Sequence, residues 1–108
     1  MTLLQQRDLA RRQRRLQVYG ETRSRLKQAL AELIPGRRVL VFGSLTRPGI
    51  FNDCSDVDLA LEEEPPHINA WRLASELSER IGRPVDVLLL ARCRFRAKIL
   101  REGEAWIA

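Results

Sequence analysis

Cysteine and histidine are almost missing from this chain: two cysteines, Cys54 and Cys93, stand 39 positions apart, and the one histidine, His67, neighbours neither. That scarcity suggests neither a zinc site nor a disulfide framework and leaves reduced thiols as the expectation, in a protein whose start, described below, reads as cytoplasmic. Aromatics make up only 6% of the residues, and Tyr19 is the only one near the arginine-rich start, so a base-stacking platform for nucleic acid is not expected there. No apolar run approaches the roughly 20 residues that cross a bilayer, and the opening MTLLQQRDLARRQRR lacks the uninterrupted apolar stretch of a secretory signal. There is no internal repeat, low-complexity tract or linker, and 108 residues allow one core.

Positive charge is abundant but unevenly placed. Residues 1–38 carry ten Arg/Lys against three Asp/Glu, whereas residues 39–108 carry nine against eleven. The basic excess belongs to the N-terminal third, which suits a solvated helix face, an acidic protein partner or, less well, nucleic acid.

Periodicity supplies the elements. Leu26, Ala29, Leu30 and Leu33 fall on one helical face that stops at Pro35-Gly36, and Leu3, Leu4, Leu9 and Leu16 form a thinner stripe upstream that needs a partner surface. Residues 1–36 are therefore read as a basic helical segment packing on a core, or on a partner, formed by residues 37–108. Within that core, Arg38–Phe42 is a buried strand stopped by Gly43, Asp56–Leu61 alternates as a strand with one wet face, and Pro84–Leu90 is an apolar strand broken by one aspartate. A second amphipathic helix runs through Ile68, Trp71, Leu73, Leu77 and Ile81 to Gly82, and a third is expected over Arg92–Glu102 with Phe95, Ile99 and Trp106 inward. The order of elements gives a small α/β (α+β) domain: a mixed sheet flanked by helices, with an extended basic N-terminal helix.

Three features converge on one chemistry. Residues i and i+2 of a strand share a face, so Asp56 and Asp58 aim two carboxylates at one point, and two adjacent anions call for a cation. Oxygen donors without histidine or cysteine favour a hard ion such as Mg²⁺, bound together with phosphate oxygens. Asp86, alone among Val85, Val87, Leu88 and Leu89, is costly to bury unless a metal or an arginine compensates it. Gly43 lets backbone approach a ligand, the Ser44 hydroxyl grips phosphate, and Arg47 supplies charge. Such a set suits in-line nucleotidyl transfer with release of pyrophosphate. Plainer readings stand beside it: a solvated turn for Asp56 and Asp58, an ion pair with Arg83 or Arg38 for Asp86, a turn for Ser44, a surface role for His67, core or interface packing for Trp71 and Trp106.

Gly43-Ser44, then Ser55-Asp56-Val57-Asp58-Leu59, then Asp86 in an apolar strand, resemble the signature of the polymerase-β-type nucleotidyltransferase superfamily, and the short chain resembles its minimal (MNT) branch. The likeness spans roughly residues 38–90. Eleven residues separate Ser44 from Asp56, one more than is usual there, and Pro48 parts Arg47 from Gly49. What the resemblance implies is Mg²⁺ on Asp56, Asp58 and Asp86, ATP as co-substrate, and nucleotide phosphates on Gly43 and Ser44. It further implies an antitoxin that transfers AMP to a tyrosine of a HEPN-domain RNase toxin within a hetero-oligomer, with self-association a further expectation. The alternatives are a non-catalytic antitoxin that masks its toxin by contact, and a nucleotidyltransferase acting on a small molecule or nucleic acid.

Overall fold

The computed structural model describes all residues, Met1–Ala108. Helix α1 runs without a break from Leu3 to Leu33. Thr2 starts it with a capping box: its hydroxyl accepts from the Gln5 N–H, and the Gln5 side chain accepts from the Thr2 N–H. At 1.5 Å per residue such a helix spans about 46 Å, which is why the molecule measures 55 × 28 × 19 Å. Gly20 does not interrupt it. Only the C-terminal half is buried, through Val18, Thr22, Leu26, Ala29 and Leu30, while Leu3, Leu4, Leu9 and Leu16 remain exposed among arginines. No helix is long and apolar enough to cross a membrane.

The sheet is four-stranded and mixed. Strands β1 (Arg38–Phe42), β2 (Val57–Leu61), β3 (Val85–Leu89) and β4 (Glu104–Ile107) lie in the order β3-β2-β1-β4. β1 is antiparallel to β2 and β4, and β2 is parallel to β3. The parallel step needs a crossover, and α2 (Ala70–Ile81) provides it, capped by the Asn69 side chain at its start and by left-handed Gly82 at its end.

Strand alternation divides the core between the two faces. Val39, Val41, Val57, Leu59 and Val85 turn toward α1 and α2, where they meet Leu26, Leu30, Leu73 and Leu77. Leu40 and Ala60 turn the other way and are covered by Leu90 and Ile99, the latter from the short α3 (Arg96–Glu102). Each fully buried leucine contributes about 2 kcal/mol by removal from water. The second face is only partly covered, and its uncovered part carries the polar residues described below.

Two expectations are corrected here. Phe95 precedes α3 and is exposed rather than packed inward. Trp106 does pack against the larger core, but from a strand, β4, rather than from the end of a helix.

One interaction joins three elements. Arg23 of α1 donates to Glu104 Oε2 at 2.6 Å and Oε1 at 3.2 Å, and to the Leu45 carbonyl at 3.0 Å. Its guanidinium also lies 5.1 Å from the Tyr19 ring centroid and 4.9 Å from that of Trp106. Those hydrogen bonds hold the Glu104 carboxyl below the ordinary carboxylate range, so the link weakens as acid protonates it. Arg23→Ala should cost about 2 kcal/mol, on the order of 10 °C in Tm at neutral pH. Differential scanning calorimetry checks this, and the deficit should shrink toward acidic pH.

Candidate active site

Site residues gather at the ends of the strands on the sparsely covered face. β1 ends at Phe42, and the chain turns at once into a single 3₁₀ turn, Gly43–Thr46, whose first residue has φ +73°. The turn is pinned from inside by buried Leu45 and from behind by Arg23, which holds the Leu45 carbonyl. Thr46 Oγ1 donates to the Gly43 carbonyl at 2.7 Å. Ser44 is thereby fixed, half-buried, beside the end of β2.

Gly43 is required by its neighbour. A Cβ at this position would lie 2.5 Å from Asp58 Oδ2. The backbone of the turn therefore passes directly against the Asp58 carboxylate.

Asp58 pairs in register with Phe42 on one side and with Asp86 on the other, so Asp58 and Asp86 are lateral neighbours on one face. Asp56 precedes β2 by one residue and lies on the same alternation. Burial raises the Asp58 carboxyl above its ordinary value, and the Asp86 and Asp56 carboxylates push it further in the same direction. A carboxyl raised in this way favours the fold when protonated, and that advantage is lost as pH climbs through the shifted value. The Asp58 contribution to thermal stability should therefore fall as pH rises from strongly acidic values through the mildly acidic range, opposite in sign to that of the Arg23–Glu104 link. Melting curves across pH, compared with those of Asp58→Asn, isolate this contribution.

Asp86 is exposed. The expectation of a costly buried ion is corrected, because β3 is an edge strand whose second face is open. Nor does Asp86 pair with Arg83 or Arg38. Arg83 instead donates to the carbonyls of Asn52 and Ser55, at 2.9 and 2.8 Å, and lies over the Phe51 ring. It thus anchors the loop that delivers Asp56. Asp56 and Asp86 act on Asp58 electrostatically, yet no three acidic, histidine or cysteine side chains are drawn together closely enough to hold a metal ion by themselves. Mg²⁺ commonly takes one or two carboxylates and completes its shell with water and phosphate oxygens, and an all-oxygen donor set beside a backbone cradle fits that requirement.

A cavity of about 400 Å³ opens next to this cluster, lined by Gly43, Ser44, Arg47, Leu88, Phe95 and Lys98 among others. Ser44 and Arg47 therefore share one concavity, to which α3 contributes both Lys98 and Glu102, so that two cations and one carboxylate line it. Lys98 was not legible in the sequence, where it is one cation among several between residues 92 and 101. His67 lies away from the cluster, with Nε2 2.8 Å from the Leu33 carbonyl.

No curated protein matches the sequence. Among solved structures, a toxin-antitoxin crystal structure with AMP-PNP contains a chain similar to this one, with TM-score 0.60 and 23% identity over 79% of this chain and 73% of that one. A chain of the toxin-antitoxin complex MntA-HepT is similar with TM-score 0.54 and 20% identity, over 81% of this chain and 71% of that one. Likeness at this level of identity shows a common fold. The sequence itself matches the polymerase β nucleotidyltransferase family over residues 12–107, so that Gly43-Ser44, Asp56, Asp58 and Asp86 all lie inside the matched region, and the chain belongs to that family.

Proposed function

We propose that this chain is a cytoplasmic antitoxin of a HEPN/MNT pair and a Mg²⁺-dependent protein adenylyltransferase, transferring AMP from ATP to a tyrosine of its HEPN RNase partner. The observation that carries the reading is the contact of Gly43 backbone with the Asp58 carboxylate, with Asp86 in register beside it. Structures of similar fold come from toxin-antitoxin complexes, one of them with AMP-PNP, which supports both partner and nucleotide.

Each residue has a part in the proposal. Gly43 and Ser44 receive the terminal phosphates in the turn, and Arg47, with Lys98 across the cavity, offsets their charge. Asp56, Asp58 and Asp86 are the donors for Mg²⁺, which when bound supplies the positive charge that stabilises the α-phosphate and the leaving pyrophosphate. In this reading Asp86, which is exposed, takes the hydroxyl proton as the tyrosine oxygen bonds to phosphorus and pyrophosphate departs. Arg23 and Arg83 act as positioning residues through the Leu45 and Ser55 carbonyls.

Co-expression with the HEPN partner, followed by intact-mass measurement, tests the reading: the partner should gain the mass of an AMP group with wild-type chain and not with Asp58→Asn. The second reading, neutralisation by contact alone, is favoured by one observation. The first half of α1 exposes Leu3, Leu4, Leu9 and Leu16 among arginines of which Arg14 is held by Asp53 at 3.1 Å and Arg7, Arg11, Arg12 and Arg15 form no ion pair, a surface suited to an acidic protein partner in a hetero-oligomer. If unmodified partner is still silenced when Asp58→Asn is present, contact suffices.

A further inference from the structure

β3 closes one edge of the sheet, and its outer side has no strand beside it. The Val57 N–H donates to the Pro84 carbonyl. In a parallel pair this phase turns the backbone groups of Asp86 and Leu88 toward β2, and those of Val85, Val87 and Leu89 outward. Ser78 Oγ accepts from the outward Val85 N–H at 3.1 Å, and no side chain caps those of Val87 and Leu89. Proteins usually blunt a free edge with lysine, proline or a bulge. β3, with the sequence VDVLL, has none of these.

A groove of about 740 Å³ follows this bare edge. Its floor is the strand from Asp86 to Leu89; Trp71 and Ala74 of α2 line one part, and Arg92, Arg94 and Phe95 another. Three of the largest exposed apolar side chains outside α1 meet here: Trp71 is 80% exposed, Phe95 59% and Leu88 39%. Of the acids lining it, Glu64 is already engaged, accepting from the Ala70 N–H at the start of α2. That leaves Asp86 at the active-site end and two arginines uncompensated. Leu88 and Phe95 also line the cavity beside Gly43 and Ser44, so groove and proposed nucleotide site are continuous.

We propose that the β3 edge is the acceptor site, taking an extended segment of a partner polypeptide as a fifth strand. The inference rests on the protein-directed nucleotidyl transfer proposed above. Strand addition satisfies the free N–H groups of Val87 and Leu89, and side chains on the added strand alternate as they do on β3. A hydroxyl residue opposite Asp86 then points to the face that carries Asp58. Its neighbour two positions on is apolar, against Leu88 and Phe95, while the intervening residue meets Trp71 and Ala74. Acidic flanks complement Arg92 and Arg94. The acceptor is thus an alternating apolar segment with one phenolic or aliphatic hydroxyl and carboxylates beside it.

The test uses the full chain, ¹⁵N-labelled, and a blocked octapeptide in which Val-Tyr-Val-Leu is flanked by two aspartates at each end. The peptide should shift the amide signals of Val87 and Leu89 and slow their hydrogen exchange by at least about tenfold. Trp71→Ala, which leaves the nucleotide cavity untouched, and the same peptide with lysines for aspartates should each bind at least about tenfold more weakly. Val87→Pro, which removes one outward N–H, should abolish binding, with circular dichroism as the check on its fold. Shifts centred elsewhere, equal binding by Trp71→Ala, or equal binding of the lysine peptide would overturn the proposal. So would protection of Val87 and Leu89 that grows with protein concentration alone, since the occupant would then be a second copy of this chain. Titration of the same samples with Mg²⁺ and AMP-PNP separates the two proposals. Peptide binding without nucleotide binding removes the catalytic reading and keeps the edge site; nucleotide binding without peptide binding does the reverse.

Discussion

Asp58→Asn should lower AMP transfer by about 10³-fold or more while making the chain more stable at neutral pH. Both effects have one origin. Asp58 is half-buried beside the carboxylates of Asp56 and Asp86, and burial together with those neighbours opposes its ionisation. The amide keeps the shape of the carboxylate, removes the repulsion and removes the negative charge that would hold a cation against the phosphates. A gain in Tm with loss of transfer is the pattern of a residue kept for chemistry at the expense of stability. Initial rates with the proposed HEPN partner and calorimetric melting at neutral pH give the two numbers. A variant that loses stability as well would make Asp58 a structural residue.

Gly43→Ala should be nearly as damaging to activity, by a different route. Its φ of +73° lies where a side chain costs about 1–3 kcal/mol, and the new methyl would sit 2.5 Å from Asp58 Oδ2. Either the turn moves away from the carboxylate or the carboxylate rotates out of place. A loss of about 2 kcal/mol in chemical denaturation and of about 10²-fold in transfer is expected. Gly20→Ala is the control: it lies within α1, its Cβ would meet nothing within 4 Å, and alanine there should add up to about 1 kcal/mol of stability with no effect on transfer. Equal behaviour of the two variants would show that the turn does not depend on close approach to Asp58.

Much of this could be read from residue order because local chemistry and tertiary position agree. Strands β1 to β3 and helix α2 follow from alternation and from stops at Gly43 and Gly82. Strand parity alone puts Asp58 and Asp86 on one face once β2 and β3 are neighbours. Three features were hidden. β4 is a four-residue strand, EAWI, whose pairing to β1 is set by distant partners and by the Arg23–Glu104 link, so nothing local distinguishes it from a helix end. The exposure of Asp86 depends on β3 being an edge, which a run of apolar residues does not reveal. Arg23, Arg83 and Lys98 are three cations among many, and only the fold selects the carbonyls, rings and cavity each one faces. The unbroken α1 was half legible: Gly20 weakens the pattern, and burial of Val18, Thr22 and Leu26 on either side carries the helix through.

Isothermal titration of the full chain with AMP-PNP, with and without Mg²⁺, bears most directly on the proposal that Asp56, Asp58 and Asp86 hold a cation for a nucleotide lodged in the Gly43–Thr46 turn. Heat of binding should develop only when Mg²⁺ is present and should vanish in Asp58→Asn. Binding that is indifferent to Mg²⁺ or to Asp58, or no binding at all, would contradict it.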